Sequence, residues 1–125
     1  MAQRVMITTG ALEVQARLND TKTANAIAQA LPIRGKVARW GGEIYFTIPV
    51  NVGPEQGSRE VVEAGELGYW PAGSAFCIFF GPTPASNGDE IRAASAVNII
   101  GKLLADDHSK LWDVPEAEDI RIEKA

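Results

Sequence analysis

The stretch RWGGEIYFTIPVNVG at residues 39–53 contains two residues whose side chains could take part in binding or catalysis, Glu43 and Tyr45. If Glu43 is partly buried beside Tyr45 and Trp40, it loses hydration and its pKa rises toward neutral pH. Such a carboxylate can accept a proton or bind a cation. The alternative is a solvated carboxylate at a strand end, paired with a base such as Arg39. Glu43 is the one residue that the sequence offers for catalysis, and both interpretations stay open.

A group of aromatic and polar side chains further along the chain extends this candidate site. Aromatic walls with a few polar groups are typical of small-molecule and peptide sites. Alternatively, the tyrosine and tryptophan of GYWP pack beneath a loop, and the asparagine of AVNIIG satisfies a nearby backbone. The predicted ligand-binding residues are Glu43, Tyr45, Tyr69, Trp70, Thr83, Ser86 and Asn98.

Metal and phosphate chemistry are disfavoured by composition. One histidine, His108 in the polar turn DDHSK, and one cysteine, Cys77 in FCIFF, cannot form a usual zinc shell. No calcium-binding loop and no glycine-rich phosphate loop is present. We therefore predict no metal and no cofactor, and we expect Cys77 to be a small buried hydrophobe.

Length and charge bound the class of protein. The 125 residues fit one domain, 1–125. The net charge is −4 and the twelve Lys and Arg are scattered, which disfavours nucleic acid as a partner. No apolar run approaches the ~18 residues of a membrane span, and the start MAQRVMITTG lacks a secretion signal. We expect a cytoplasmic protein without membrane contact, and its oligomeric state stays open.

Periodicity indicates a mostly β domain. ALEVQARL alternates apolar and polar residues, and it follows RVMITT across a Thr-Gly turn, which predicts an antiparallel hairpin. EIYFTIPV alternates as well, with Ile44, Phe46 and Ile48 on one side and Glu43 and Tyr45 on the other. SAFCIFF is almost continuously apolar, as a strand covered on both faces would be. REVVE, LGYW, AVNIIGKLL and DIRIEK complete a set of seven or eight strands, which favours a barrel or sandwich.

One helix is predicted with clear boundaries. Apolar residues recur at helical spacing in NDTKTANAIAQALP, with Asp20, Thr21 or Thr23 as the N-terminal cap and Pro32 at its end. ADDHSKLWDVP predicts a short second helix. Residues 81–95, rich in Pro, Gly, Ser and Asn, are predicted to form a loop.

Three runs together carry a family resemblance: WGGEIYFTIPV, REVVEAGELGYWPAGSAFCIFFGPTP and ASAVNIIGKL. They resemble a family of small single-domain prokaryotic proteins with a cyclophilin-like fold, over roughly residues 37–104. The resemblance implies a mainly β domain, a closed antiparallel barrel of about eight strands with one or two helices capping its mouths. Closure would leave no unpaired sheet edge.

The resemblance to cyclophilins suggests prolyl isomerase activity, but one residue that this activity is expected to need is absent. Rotation about a peptide bond has a barrier of ~18–20 kcal/mol, and cyclophilins are expected to lower it with an arginine on a strand similar to IYFTIP, residues 44–49. This sequence shares the Ile-Pro ending but has no arginine in that stretch. Arg39 and Arg59 flank it and would have to fold back to replace one.

Three hypotheses follow from these observations. The favoured one is an uncharacterised cyclophilin-like protein that binds a small molecule or peptide segment in an outer-face groove and lacks the arginine of an efficient isomerase. The second is a divergent enzyme, either isomerase-like or using Glu43 as an acid or base. The third is a protein-interaction module whose aromatic surface meets a partner or a second copy.

Overall fold

A computed structural model describes residues 3–125. Within that range the protein has ten strands, one α-helix and two 3-10 helices. The strands are β1 (Gln3–Thr9), β2 (Leu12–Leu18), β3 (Ile33–Lys36), β4 (Ala38–Arg39), β5 (Glu43–Thr47), β6 (Arg59–Val62), β7 (Glu66–Trp70), β8 (Ala75–Phe79), β9 (Ile91–Leu103) and β10 (Asp119–Lys124). The α-helix is α1 (Lys22–Ala30), and the 3-10 helices cover Pro71–Gly73 and Ser109–Asp113.

The strands form one antiparallel sheet in the order β3-β10-β1-β2-β9-β7-β8-β5-β4, with β6 paired to β9 off this path. The mainly antiparallel β class is therefore confirmed, whereas the closed barrel is not, because the sheet is open and ends at β3 and β4. These two end strands are separated by a single residue, Val37. Its N–H donates to the Glu118 carbonyl and its carbonyl accepts from the Ala117 N–H, both at 2.8 Å. The backbone between the end strands thus bonds to the segment before β10.

The predicted hairpin and helix are both present. β1 and β2 pair residue for residue around Gly10, whose φ of +57° suits a turn that glycine adopts without steric cost. α1 begins after Thr21, whose hydroxyl accepts the Ala24 N–H at 3.2 Å. The helix ends at Ala30, with Leu31 as its C-terminal cap and Pro32 next in the chain, because a proline cannot continue the hydrogen-bond pattern.

The sheet carries a large core on one face and a smaller cluster on the other, which we call the inner face and the outer face. The outer cluster consists of Val62, Ala75, Cys77, Phe79, Ile91, Ala93 and Val97, with Tyr45, Trp70 and Ile99 packed against it. β8 shows the division most clearly: Phe76 and Ile78 belong to the inner core, while Cys77 and Phe79 belong to the outer cluster. The prediction that SAFCIFF is covered on both faces is confirmed.

Three regions differ from the sequence-based expectation. The predicted loop at residues 81–95 is shorter, because β9 already begins at Ile91. The segment at residues 33–39 forms β3 and β4, which the pattern did not reveal because each strand is too short to show alternation. The expected second helix is one 3-10 turn, Ser109–Asp113. No helix in residues 3–125 has the length and apolar character needed to cross a membrane.

Candidate functional site

A pocket of about 240 Å³ opens on the outer face of the sheet, between β5, the end of β7 and the first half of β9. Three aromatic rings, one carboxylate and three small or branched apolar side chains form its walls. The lining residues are Trp40, Glu43, Tyr45, Trp70, Ala93, Ala94 and Val97. Of these seven, only Glu43 carries a charge.

The alternation of β5 places two of these residues. Ile44 and Phe46 are 0% and 3% exposed and belong to the inner core. Successive side chains of a strand point to opposite faces, so Glu43 and Tyr45 lie on the outer face, where both line the pocket. The register with β8 sets Tyr45 opposite Cys77 and Glu43 opposite Phe79, which makes the outer cluster the floor of the pocket.

A tight glycine turn brings Trp40 beside Glu43. The Trp40 N–H donates to the Glu43 carbonyl at 3.0 Å, and Gly41 between them has a φ of +61°. Gly42 then packs directly against the backbone at Gly81, where the Phe80 N–H donates to the Gly42 carbonyl at 2.8 Å. A Cβ on Gly42 would lie 2.3 Å from the Gly81 carbonyl carbon.

Replacing Gly42 with alanine is therefore expected to lower the free energy of unfolding by about 1–3 kcal/mol, because two backbones must separate to admit the methyl group. Gly53→Ala is the matched control, since nothing lies within 4 Å of its Cβ position. The control should stay within about 0.5 kcal/mol of the wild type. Urea denaturation of the three proteins measures both effects, and equal stability of Gly42→Ala and the control would contradict this close packing.

Glu43 is buried at 6% exposure. Burial removes hydration from the carboxylate and raises its pKa from the usual 4.5 to about 7, while a hydrogen bond with Cys77 lowers it by less. The protonated and ionised forms are therefore both populated near neutral pH. Cys77 is 1% exposed, and burial raises its thiol pKa well above the ordinary value. The thiol is thus protonated, and its prediction as a small buried residue is confirmed.

The opposite wall comes from β7 and β9. The indole N–H of Trp70 donates to the Ser95 hydroxyl at 2.6 Å. This bond ties the indole to β9. Ala93 and Ala94 on the same strand have methyl side chains and leave space in front of Glu43.

Three of the predicted site residues, Glu43, Tyr45 and Trp70, meet in this pocket. Tyr69 lies instead in the inner core at 0% exposure, and its hydroxyl donates to the Val50 carbonyl at 2.5 Å. Thr83 and Ser86 hold the segment between β8 and β9 together. The Ser86 hydroxyl accepts the Thr83 N–H at 2.9 Å and the Arg92 N–H at 3.2 Å.

Asn98, also predicted as a ligand contact, is 2% exposed and its amide is already engaged. Its Oδ1 accepts the Glu55 N–H at 2.9 Å. Its Nδ2 donates to the Gly53 carbonyl and to the Thr23 hydroxyl, each at 3.1 Å. The alternative interpretation, a buried asparagine that satisfies loop backbone, describes this geometry.

The flanking arginines point to partners outside the pocket. The Arg39 guanidinium donates to the carbonyls of Val114 at 2.5 Å and of Gly41 at 3.0 Å, and it lies over the rings of Phe80 and Trp112. Arg59 forms a bidentate ion pair with Glu66. His108 bonds to the Ala105 carbonyl at 2.8 Å.

The sequence analysis missed the pocket residues of β9, Ala93, Ala94 and Val97. Ala93 and Ala94 fall in the predicted loop at residues 81–95, which is rich in Pro and Gly, and Val97 falls in the predicted strand AVNIIGKLL. Neither alanine nor valine carries a signal of function. Trp40 was noted as a neighbour of Glu43 but was not predicted as a ligand contact. Within the described part of the chain, no group of three or more His, Cys, Asp and Glu side chains is arranged to hold a metal ion.

The fold and this pocket define an antiparallel β domain with a cleft on its outer face, and comparison with known proteins places it in a family. The Cyclophilin-like family profile matches residues 3–123, and the chain belongs to this family. The motif that first indicated the family, GYWP to FFGPTP, supplies the Trp70 wall and the β8 floor of the pocket.

Two solved structures share the fold. The hypothetical protein AF2241 from Archaeoglobus fulgidus, known from a solution structure, is 42% identical, with 98% of this chain and 95% of that chain covered and a TM-score of 0.83. McbB, solved in complex with tryptophan, is 10% identical with a TM-score of 0.68; the match covers 96% of this chain and 44% of McbB. The McbB likeness shows the fold alone. No curated protein matches the chain in sequence.

Proposed function

We propose that this protein binds a small molecule in the outer pocket around Glu43. The observation that carries the proposal is the position of Glu43, a carboxylate with 6% exposure at the side of a cleft whose other walls are aromatic or apolar. A mostly apolar cleft with one well-placed polar group is the usual composition of a ligand site. An ionisable group in such a cleft, with its pKa shifted by burial, is a further mark of a functional site.

The volume favours a compact ligand. About 240 Å³ is below the roughly 300–1,000 Å³ that drug-sized ligands occupy. A single ring with a short polar chain fits this space better than several residues of an extended peptide. A peptide would therefore enter with one side chain, and a free small molecule is the simpler occupant.

The side chains around the pocket support binding over prolyl isomerisation. Among the seven lining residues there is no arginine, and the two arginines considered above as replacements are engaged elsewhere, Arg39 with backbone carbonyls and Arg59 with Glu66. A donor to the proline nitrogen would have to come from another residue type.

Intrinsic fluorescence provides the test. Two of the three tryptophans, Trp40 and Trp70, line the pocket. The third, Trp112, is 47% exposed and packs edge-on against Phe80 at 5.0 Å between ring centroids. Trp112→Phe therefore removes the background signal and keeps a ring at that position. Titration with 2-phenylethylamine is followed by this fluorescence, whereas tryptophan, the molecule in the McbB structure, and tryptamine fluoresce themselves and are titrated by NMR shifts of the protein. A saturable change is expected for at least one probe, with a Kd below about 1 mM.

A blocking variant makes this experiment specific. Ala94 lines the pocket and is exposed, so Ala94→Phe fills the cleft without entering either core. It should abolish the saturable change. An unchanged titration in Ala94→Phe would place binding elsewhere, and the absence of saturation by every probe would contradict the proposal.

A second candidate function, proton transfer by Glu43, is favoured by its pKa of about 7, which lies near the optimum for a general acid or base at neutral pH. The same titrations, with the probe followed by NMR, distinguish binding alone from proton transfer. A binding protein returns the probe unchanged, whereas an enzyme converts it or exchanges its acidic protons with solvent, and Glu43→Gln abolishes that exchange.

A further inference from the structure

Among residues 3–125, Glu43 has no cationic partner. The carboxylate interacts with the neutral thiol of Cys77 from β8, and no lysine or arginine in residues 3–125 contributes to its pKa. The charged residue of β9 nearest in sequence to the pocket, Arg92, is paired with Glu90 at 2.8 Å and with Glu60 at 3.0 Å. A buried carboxylate without a counter-ion is costly in its ionised form. The pocket therefore offers an unmatched negative charge to whatever enters it.

The other walls suit the same kind of ligand. Three aromatic side chains, Trp40, Tyr45 and Trp70, surround Glu43 in the pocket. The faces of aromatic rings carry negative potential and attract cations, most strongly when the cation is desolvated. The indole N–H of Trp70, which would favour an acceptor on the ligand, is already donated to Ser95.

We propose that the pocket selects small organic cations, an ammonium group on an apolar or aromatic body, with Glu43 as the counter-ion. This inference rests on the proposed function and specifies its ligand class. The ammonium lies against the Glu43 carboxylate and the aromatic rings, and the apolar body lies over Ala93, Ala94 and Val97. A neutral ligand of the same shape would gain the apolar contacts but leave the carboxylate unpaired.

The inference makes binding dependent on pH. The titratable groups facing Glu43 are Cys77 from β8 and Tyr45 from its own strand; Trp40, Trp70, Ala93, Ala94 and Val97, from the other elements around the pocket, do not titrate. Glu43 must be ionised to pair with an ammonium group, and its pKa is about 7. Alkylammonium groups stay protonated over this range. Affinity should therefore rise roughly tenfold per pH unit up to about pH 7 and then level off.

The experiment uses two probes that differ in charge but hardly in shape, 2-phenylethylammonium and 2-phenylethanol. Their affinities for the Trp112→Phe protein are measured by fluorescence between pH 5 and 8.5. At pH 8 the ammonium is expected to bind roughly tenfold tighter or more, since hydrogen bonds to charged groups are the stronger kind. Glu43→Gln in the same background should remove this preference. Glu13→Gln, at an exposed position on β2, is the matched control for the net acidic charge and should keep it.

The outcomes separate the two proposals. Binding of 2-phenylethanol that equals or exceeds that of the ammonium at pH 8 overturns the cation inference and leaves the proposed binding function standing. Failure of both probes, together with failure of tryptophan and tryptamine, overturns both. The pH series on protein that retains Glu43 tests the inference without relying on that substitution, and an affinity for the ammonium that is flat from pH 5 to 8.5 would also overturn it.

Discussion

Asn98→Leu is expected to lower the free energy of unfolding by about 3 kcal/mol or more. Leucine is close to asparagine in size but offers no hydrogen bond, so the Glu55 N–H, the Gly53 carbonyl and the Thr23 hydroxyl each lose a partner. Each buried polar group left unsatisfied costs about 1–3 kcal/mol. The sum is a large part of the stability of an ordinary domain.

The loss of stability should exceed that caused by removing an ordinary buried side chain, because Asn98 joins three parts of the chain. It lies in the middle of β9 and bonds to the loop that follows β5 and to the first turn of α1. Glu55 strengthens the same junction, since its carboxylate accepts the Thr23 N–H at 2.8 Å and also bonds to the Thr23 hydroxyl. Without Asn98, the loop and the start of the helix should loosen together, and hydrogen exchange of the Glu55 amide should become faster.

Asn25→Leu is the matched control for this prediction. Asn25 lies on the exposed side of α1, and its side chain makes one long hydrogen bond, to the Asp20 carbonyl at 3.4 Å. The same substitution there should change the free energy of unfolding by no more than about 0.5 kcal/mol. Urea denaturation of both variants measures the change in the free energy of unfolding. Similar small losses of stability at the two positions would show that the Asn98 hydrogen bonds contribute little.

Asn98 also illustrates what the sequence could and could not reveal. A polar residue inside the apolar run AVNIIG must find hydrogen-bond partners, and this much was predictable. The partners lie 43, 45 and 75 residues away in the chain. Local periodicity carries no information on such distant pairs, so the pattern alone could not exclude a bond to a ligand, although a bond to loop backbone is the commoner arrangement.

The same limit applies to the fold and to the pocket. Where a strand is long enough to alternate, as in β2 and β5, the pattern predicted both the element and the face on which its side chains lie. β3 and β4 have only four and two residues, which is too short to show alternation of apolar and polar residues. They are defined by their pairing with other strands. Glu43 and Tyr45 could be predicted from β5 alone, whereas the alanines of β9 line the pocket only because β9 crosses the sheet next to β7.

The second large effect is a gain in the free energy of unfolding. Glu43→Gln should be more stable than the wild type at pH 8 and equally stable at pH 4. The folded-state pKa of Glu43, about 7, exceeds the usual 4.5. The folded protein therefore holds this proton more tightly than the unfolded chain does. The resulting stability is fully present below pH 4.5 and is lost as the pH rises through 7. Glutamine resembles the protonated carboxyl at every pH and loses nothing.

The expected difference at pH 8 is up to about 3 kcal/mol, since each pKa unit corresponds to about 1.4 kcal/mol. Urea denaturation of both proteins at pH 4, 6 and 8 should show the difference opening between pH 4.5 and 7. Glu13→Gln at an exposed position should follow the wild-type pH profile. A difference that stays constant with pH, or a Glu43→Gln protein that is the less stable one at pH 8, would mean that Glu43 gains more from its surroundings than it loses by burial.

The expected stability cost of the buried Glu43 carboxylate is the strongest physical reason to propose a function for this residue. Glutamine, or an apolar residue packed against Phe79 and Cys77, would fill the same position without a buried charge. Carboxylates that reduce stability are found where an activity requires them, because binding and catalytic groups are arranged for a ligand and not for the folded chain. A cation that enters the pocket supplies the missing partner, so the ligand should stabilise the wild type at pH 8 by the linkage between binding and folding. In Glu43→Gln that gain should largely disappear, and the variant that is more stable alone should be the one that the ammonium ligand stabilises less.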